Sequence, residues 1–183
     1  MTPSHGQIGF FVDATRCIDC KTCEIACKDF NDSALGSRIR KVRSFEGGEF
    51  PMVFAYNLAM SCNHCEDPAC VKGCPAGAYT KRPEDGIVLH DPEKCIGCRY
   101  CTWLCPYEAP QYDAAEGRVH KCNLCAGEAT PVCVAACPMR AIEVGPLTEI
   151  AARPGATIAL RALPSPELTR PSIRYRVRKE AQA

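Results

Sequence analysis

Four short runs rich in β-branched, aromatic and aliphatic residues alternate with turn-forming stretches along the chain: GFFV (9–12), VFAYNLAM (53–60), GIVLH (86–90) and RVHKC (118–122). Each has the length and make-up of a strand. PEDG (83–86) and AAEG (114–117) carry turn chemistry and predict hairpin connections. Helical pattern is confined to small pieces. EIACKDF (24–30) and VAACP (134–138) read as single helical turns that carry a cysteine, and PLTEIAA (146–152) as a short helix with Pro146 at its first position. Beyond residue 152, Pro154, Pro164, Pro166 and Pro171 predict an irregular arm. No window approaches the roughly 18 to 20 apolar residues that cross a bilayer. The opening MTPSHGQIGFFVDATRC has neither a basic n-region nor a long apolar h-region. The expectation is a soluble chain without a membrane span, which meets a membrane only through a partner.

Elements this short bury little, and composition shows what could replace a large core. Of 183 residues, 16 are cysteine, against six Phe, six Tyr and one Trp, with 13 Gly and 15 Pro. That mixture suits a loop-rich fold held by something other than apolar packing. Disulfide scaffolds of this density are normally shorter, secreted chains behind a signal peptide, so a disulfide framework is disfavoured. Net charge is +1, but residues 1–150 hold 15 Lys or Arg against 19 Asp or Glu, while residues 151–183 hold seven against two. The basic end, RPSIRYRVRKEAQA, lacks the interleaved aromatics of a nucleic-acid platform, so a solvated tail or a protein contact is expected and no nucleic acid.

The cysteines fall into four groups with none left over: Cys17, Cys20, Cys23, Cys27; Cys62, Cys65, Cys70, Cys74; Cys95, Cys98, Cys101, Cys105; and Cys122, Cys125, Cys133, Cys137. Every group opens C-x2-C and closes x3-C. DATRCIDC (13–20) matches DPEKCIGC (91–98), and CPAGAY (74–79), CPYEAP (105–110) and CPMRAI (137–142) share C-P-x-x-A; the first group breaks this rule with Lys28 in place of proline. The chain is built from a repeated unit.

A C-x2-C-x2-C loop can curl around a compact object and aim three sulfurs inward, whereas the fourth cysteine sits one helical turn further on and points elsewhere. In bacterial two-cluster ferredoxins the fourth cysteine of C-x2-C-x2-C-x3-C-P ligates the other cluster. Sixteen thiols satisfy four 4Fe–4S cubanes at four each, with Pro106 ending the helical turn after Cys105. Four-thiolate zinc is the rival reading; it predicts separated C-x2-C pairs and gives no reason for the repeated C-P-x-x-A. Ile18 and Ile96 are placed to shield a cluster, and Gly97 to let backbone N–H groups approach sulfur, both of which tune reduction potential. Asp19 stands where the third group has that glycine, either lowering the nearest potential or solvated. His64 and His120 read as hydrogen-bonding or surface residues, Lys72, Lys81, Arg99 and Lys121 as partial charge compensation or a solvated basic face, and Trp103 as packing between clusters. No G-x-G-x-x-G, Walker A, H-E-x-x-H or G-x-S-x-G motif is present, and no residue set is suited to transform a substrate.

GFFVDATRCIDCKTCEIACKD, SCNHCEDPAC and CIGCRYCTWLCPYEAPQY together resemble the electron-transfer iron–sulfur (beta) subunits of the dimethyl sulfoxide reductase family of molybdopterin oxidoreductases, above all its four-cluster members, over residues 7–152. The resemblance implies an α+β fold of two nested ferredoxin-like halves in residues 1–150, groups one and four pairing and groups two and three pairing, followed by a basic arm, 151–183. It further implies four ligand sets: Cys17, Cys20, Cys23 with Cys137; Cys122, Cys125, Cys133 with Cys27; Cys62, Cys65, Cys70 with Cys105; and Cys95, Cys98, Cys101 with Cys74. Some relatives hold a 3Fe cluster where tryptophan replaces a third-group cysteine; Cys101 is present, so four cubanes are expected. The implied function is non-catalytic: electrons relayed from an integral membrane, quinol-oxidising anchor to a molybdopterin catalytic subunit. The implied place is peripheral on the cytoplasmic membrane, at its periplasmic face through a twin-arginine-tagged partner, or else at its cytoplasmic face. An electron relay of a hydrogenase or formate-hydrogen lyase complex is the alternative within the same chemistry. The Cys125–Cys133 loop and the segment before Phe54 are shorter than expected for the family, at places where partner contacts vary.

Overall fold

The computed structural model describes residues 6–179. The first five residues of the segment read for a leader, and the last four of the basic arm, lie outside the described residues. The central strand β1 (Ile8–Asp13) is flanked on both sides, antiparallel by β8 (Ile142–Pro146) and parallel by β9 (Ile173–Arg176). Phe10, Phe11 and Val12 are buried in succession because both faces of β1 are covered, which explains an unbroken apolar run rather than an alternating one. Three two-stranded hairpins complete the strands: β2 (Lys41–Gly47) with β3 (Phe54–Met60), β4 (Tyr79–Lys81) with β5 (Val88–His90), and β6 (Gln111–Asp113) with β7 (Arg118–His120). The two expected turns join the last two hairpins. In each an aspartate caps the bend: Asp85 Oδ1 accepts from Ile87 N at 3.0 Å, and Asp113 Oδ1 from Ala115 N at 2.8 Å.

Helices α1 (Thr22–Phe30), α2 (Ala69–Lys72), α3 (Tyr100–Leu104) and α4 (Val132–Ala135) each follow the opening cysteines of one group, and α5 (Leu147–Ala151) follows β8. The third cysteine of every group (Cys23, Cys70, Cys101, Cys133) is the second residue of its helix. The expectation that single turns carry the closing cysteine therefore needs correction. Only Cys27 lies inside a helix, α1 being nine residues long, while Cys74, Cys105 and Cys137 sit at or just past a helix end. Pro146 precedes α5 instead of opening it. Helix α1 packs on α4 and α2 on α3, so the first group nests with the fourth and the second with the third. Small sheets, short helices and long connections make the fold α+β and ferredoxin-like.

The arm departs most from expectation. Residues after 152 are irregular only as far as a 3₁₀ turn at Pro166–Leu168, and then form β9. Within IRYR, Ile173 and Tyr175 are buried against the sheet and the arginines face outward, the period of a half-buried strand. Arg176 Nη1 lies 3.0 Å from Asp13 Oδ2. Just before β9, Ser172 N donates to the Asn63 carbonyl and Ser172 Oγ to the His64 carbonyl, while Glu66 N and Asp67 N donate to the carbonyls of Arg170 and Thr169. The arm thus fastens the second cysteine loop to the central sheet. Replacing Ile173 with alanine is expected to cost about 2–5 kcal/mol, read as a lower midpoint in thermal unfolding of the full chain.

Candidate metal centres

Each cysteine loop is curled by a residue in the left-handed region immediately before the second cysteine: Asp19 (φ 60°), His64 (φ 42°), Gly97 (φ 68°) and Leu124 (φ 59°), joined in the fourth group by Cys125 itself (φ 51°). Only the third group uses glycine here, and for a steric reason: a Cβ on Gly97 would lie 2.2 Å from the Gly117 carbonyl oxygen. Helix entry then follows one of two routes. Where the middle spacing is two, Lys21 and Arg99 take left-handed φ and lead straight into the helix. Where it is longer, Pro68 and Pro131 precede the helix instead.

The C-P-x-x-A motif has a common geometry. In each copy the third residue after cysteine adopts positive φ (Gly77, Glu108, Arg140) and its N–H donates back to the cysteine carbonyl. The alanine N–H then donates to the cysteine sulfur: Ala78 to Cys74 Sγ at 3.4 Å, Ala109 to Cys105 Sγ at 3.5 Å, and Ala141 to Cys137 Sγ at 3.3 Å. All three alanines are buried, so a small residue is required. In the first group Lys28 lets the helix run on, and the +4 position is Asn31. Its Nδ2 donates to the Cys27 carbonyl at 2.7 Å and to Cys27 Sγ at 3.6 Å. A side-chain amide therefore stands in for the backbone donor of the other three groups. Asn31 escapes a reading of the sequence alone, although its +4 offset from the closing cysteine is an available signal.

All sixteen cysteines are free thiols. Cys17, Cys20, Cys23 and Cys137 line one cavity, with Ile18 at its edge; Cys62, Cys65, Cys70 and Cys105 line another, with Lys121. Cys27 faces Cys122, Cys133 and Cys125, and Cys101 faces Cys95, Cys98 and Cys74. The fold so gathers four quartets, each of three thiols from one group and the closing thiol of its nested partner. Burial pushes the Cys23, Cys27, Cys65 and Cys70 thiols up to about 12 and Cys122 to about 11. Exposed Cys20 is lowered instead, by the Thr22 hydroxyl 3.4 Å away. Quartets of free sulfur, aimed together and met by N–H donors, suit soft tetrahedral ligation of iron.

Among the flanking residues, Lys121 is buried and donates to the Cys122 carbonyl at 2.6 Å. Lys81 donates to the Cys65 carbonyl at 3.0 Å. Both bring positive charge to the second and fourth groups. Lys72 is exposed and paired with Asp67, and Arg99 lies over the Tyr112 ring, so these two remain on the surface. His64 is buried, its Nδ1 accepting from Val88 N at 3.1 Å; burial first, then Lys121, Lys81 and Arg40, hold it well below the ordinary imidazole range. His120 is half-buried, its Nε2 3.0 Å from Glu116 Oε2. Asp19 is 2.5 Å from Lys21 Nζ, so its quartet feels an ion pair and not a lone carboxylate. Trp103 does not pack between quartets: it is 72% exposed, tilted against Tyr100. Ile18 and Ile96 also keep most of their surface in solvent, bordering their quartets without sealing them. If Asn31 tunes Cys27, Asn31→Leu removes a hydrogen bond of about 1 kcal/mol. EPR-monitored redox titration is then expected to show one midpoint lowered by up to roughly 40 mV and the others unmoved.

A family model for the 4Fe–4S dicluster domain matches residues 53–147. The probable anaerobic dimethyl sulfoxide reductase chain YnfG of Escherichia coli is 47% identical over 179 residues, covering 91% of this chain and 87% of that one. A chain of the anaerobic dimethyl sulfoxide reductase of Haemophilus influenzae is 41% identical over 189 residues, covering 96% and 92%. A subunit of the sulfite dehydrogenase of Allochromatium vinosum is 38% identical over 160 residues, covering 74% and 67%. The cofactors are thus 4Fe–4S clusters and not structural zinc. With the dimethyl sulfoxide reductase chains matching more than nine-tenths of its length and the dicluster domain at its centre, the chain belongs to the family of iron–sulfur subunits of dimethyl sulfoxide reductase-type molybdopterin oxidoreductases.

Proposed function

We propose that the chain is a non-catalytic relay, passing single electrons between an integral membrane, quinol-oxidising anchor and a molybdopterin catalytic subunit in a dimethyl sulfoxide reductase-like respiratory complex. When bound, the clusters supply the one-electron carriers; the chain supplies their ligands, their separation from water and two faces for partners. The ligand sets are Cys17, Cys20, Cys23 and Cys137; Cys27, Cys122, Cys125 and Cys133; Cys62, Cys65, Cys70 and Cys105; and Cys74, Cys95, Cys98 and Cys101.

The observation that carries this reading is the pattern of exposure along the quartets. Cys23 lies within electrostatic reach of Cys133, Cys122 of Cys62, and the Tyr79 hydroxyl of Cys101, Cys70 and Cys62, which supports reading the four quartets as one succession. All four thiols of Cys27, Cys122, Cys125 and Cys133 are buried, whereas Cys20 is exposed at one end of the succession and Cys74, Cys95 and Cys98 are half-buried at the other, as are Cys65, Cys70 and Cys105 in the quartet between. Each end also presents an apolar pair at matched places in the repeat. Ile18 and Ile25 are 60% and 66% exposed at one end, and Ile96 and Trp103 are 68% and 72% exposed at the other. A carrier that serves two macromolecular partners needs two such dry, exposed ends.

The relatives' names supply the partner chemistry: dimethyl sulfoxide reductase chains, a sulfite dehydrogenase subunit and a formate dehydrogenase iron–sulfur subunit. Among the described residues no helix is long and apolar enough to cross a membrane. We place the chain peripherally on the cytoplasmic membrane, at the periplasmic face, carried there with a twin-arginine-tagged catalytic partner. Anaerobic purification of the complex is expected to give a brown protein with about four irons per quartet and both partner subunits. The exchange of closing thiols is tested by Cys105→Ser, expected to alter the cluster of Cys62, Cys65 and Cys70 and to leave that of Cys95, Cys98 and Cys101 intact. Disturbance of the third-group cluster instead would reject the crossed ligand sets.

A further inference from the structure

Arg40 enters the interior just before β2 and is 2% exposed. Its Nη1 donates to the Ala59 carbonyl at 3.1 Å, its Nη2 to Ser61 Oγ at 2.9 Å, and its guanidinium carbon lies 4.7 Å from the Phe10 ring centroid. None of these partners is anionic, and among the described residues no carboxylate forms an ion pair with it. A guanidinium keeps its proton even here. A buried charge without a counter-charge is strongly unfavourable, so negative charge has to come from something else close by. Phe10 and Ala59, which it touches, belong to the same buried cluster as Cys23, Cys27, Cys122 and Cys133, and these four thiols are the ionisable groups with the strongest electrostatic hold on it. Its charge acts on Cys125 too, which completes one quartet. As protonated thiols these offer no counter-charge; as thiolates on a cluster they do.

We propose that Arg40 is the fixed counter-charge of the cluster held by Cys27, Cys122, Cys125 and Cys133, securing that cluster's assembly and raising its reduction potential. The inference rests on the ligand sets above. A cation stabilises the reduced, more negative state, so removing it lowers the potential. Cys23 belongs to the neighbouring quartet, whose potential shifts in the same direction by less. Lys121 occupies the corresponding role beside Cys70 and Cys105, so the cluster of Cys62, Cys65, Cys70 and Cys105 is little affected. The quartet of Cys74, Cys95, Cys98 and Cys101 is unaffected.

The test compares the full chain in its complex, purified anaerobically, as wild type, Arg40→Lys and Arg40→Gln, by iron content and EPR-monitored redox titration at pH 6.5. The cluster concerned is identified as the one altered by Cys133→Ser. Arg40→Gln is expected to shift its one-electron equilibrium at least tenfold towards the oxidised state, about 59 mV, or to lose that cluster alone. Arg40→Lys, which keeps the charge without the planar fork, is expected to hold all clusters with that equilibrium within threefold of wild type. Wild-type midpoints in the glutamine variant, or equal damage in both variants, would overturn the proposal. An iron-poor wild type would remove the ligand sets and this inference together, whereas intact wild-type clusters with no difference at position 40 remove this inference alone.

Discussion

Iron is bound by thiolate, and a thiolate is disfavoured in an apolar interior, yet this fold buries half of its cysteines and leaves only Cys20 exposed. The raised thiols of Cys23, Cys27, Cys65 and Cys70 express that conflict: without metal they stay protonated and weakly polar, and with it they surrender protons to become ligands. Cysteines occupy places in the main core cluster that Leu or Val would otherwise fill, among them Cys23, Cys27, Cys62, Cys122, Cys133 and Cys137 beside Phe10, Leu58 and Ile142. The metal centres are therefore part of the core, which is why a chain with so few aromatics can hold together. Folding and cluster assembly are expected to be one thermodynamic event.

The repeat solves the same problem four times with local backbone geometry. A left-handed residue bends each loop, the third thiol sits at the second helical position, and the closing thiol receives a donor from the residue four further on. Each device places an N–H or a turn of helix against sulfur, and a hydrogen bond to sulfur favours the charged ligand. The first group shows that the donor matters more than the motif. Lys28 removes the helix stop, the chain continues to Phe30, and Asn31 restores the donor through its side chain. A proline-free copy can thus be accommodated without losing a contact to the ligand.

What is legible in the sequence is what is local. Thiol spacing, the capped turns at Asp85 and Asp113 and the apolar runs of β1 and β3 depend on neighbours a few residues away, and all can be read from a short window. Strand β2 escapes such a reading because KVRSFEG is broken up by the charged Lys41, Arg43 and Glu46 and finds its partner β3 only through pairing. Strand β9 escapes it because nearby prolines and arginines suggest a tail. Its alternation IRYR is visible, but its partner lies more than 160 residues earlier in β1. Arg40 looks like one more surface cation in RIRKVR. Nothing in the local pattern tells it from Arg38, which is exposed near Glu24, since burial is decided by how β2, β3 and α1 close around it.

Divergence between the repeats follows from position in the succession. The quartet of Cys27, Cys122, Cys125 and Cys133 is enclosed, so its surroundings are free to specialise in charge: Arg40 on one side and Lys121 beside Cys122. The loops of the first and third groups specialise in surface instead. At matched positions one end has Ile25 and the polar pair Asp19 and Lys21, while the other has Trp103, with Tyr100 and Leu104 beside it. A broad aromatic face and a smaller, ion-paired one do not fit the same partner equally well. For the relay proposed above, this asymmetry would assign one end to each partner subunit, even though both loops share the same D-x3-C-I-x-C pattern.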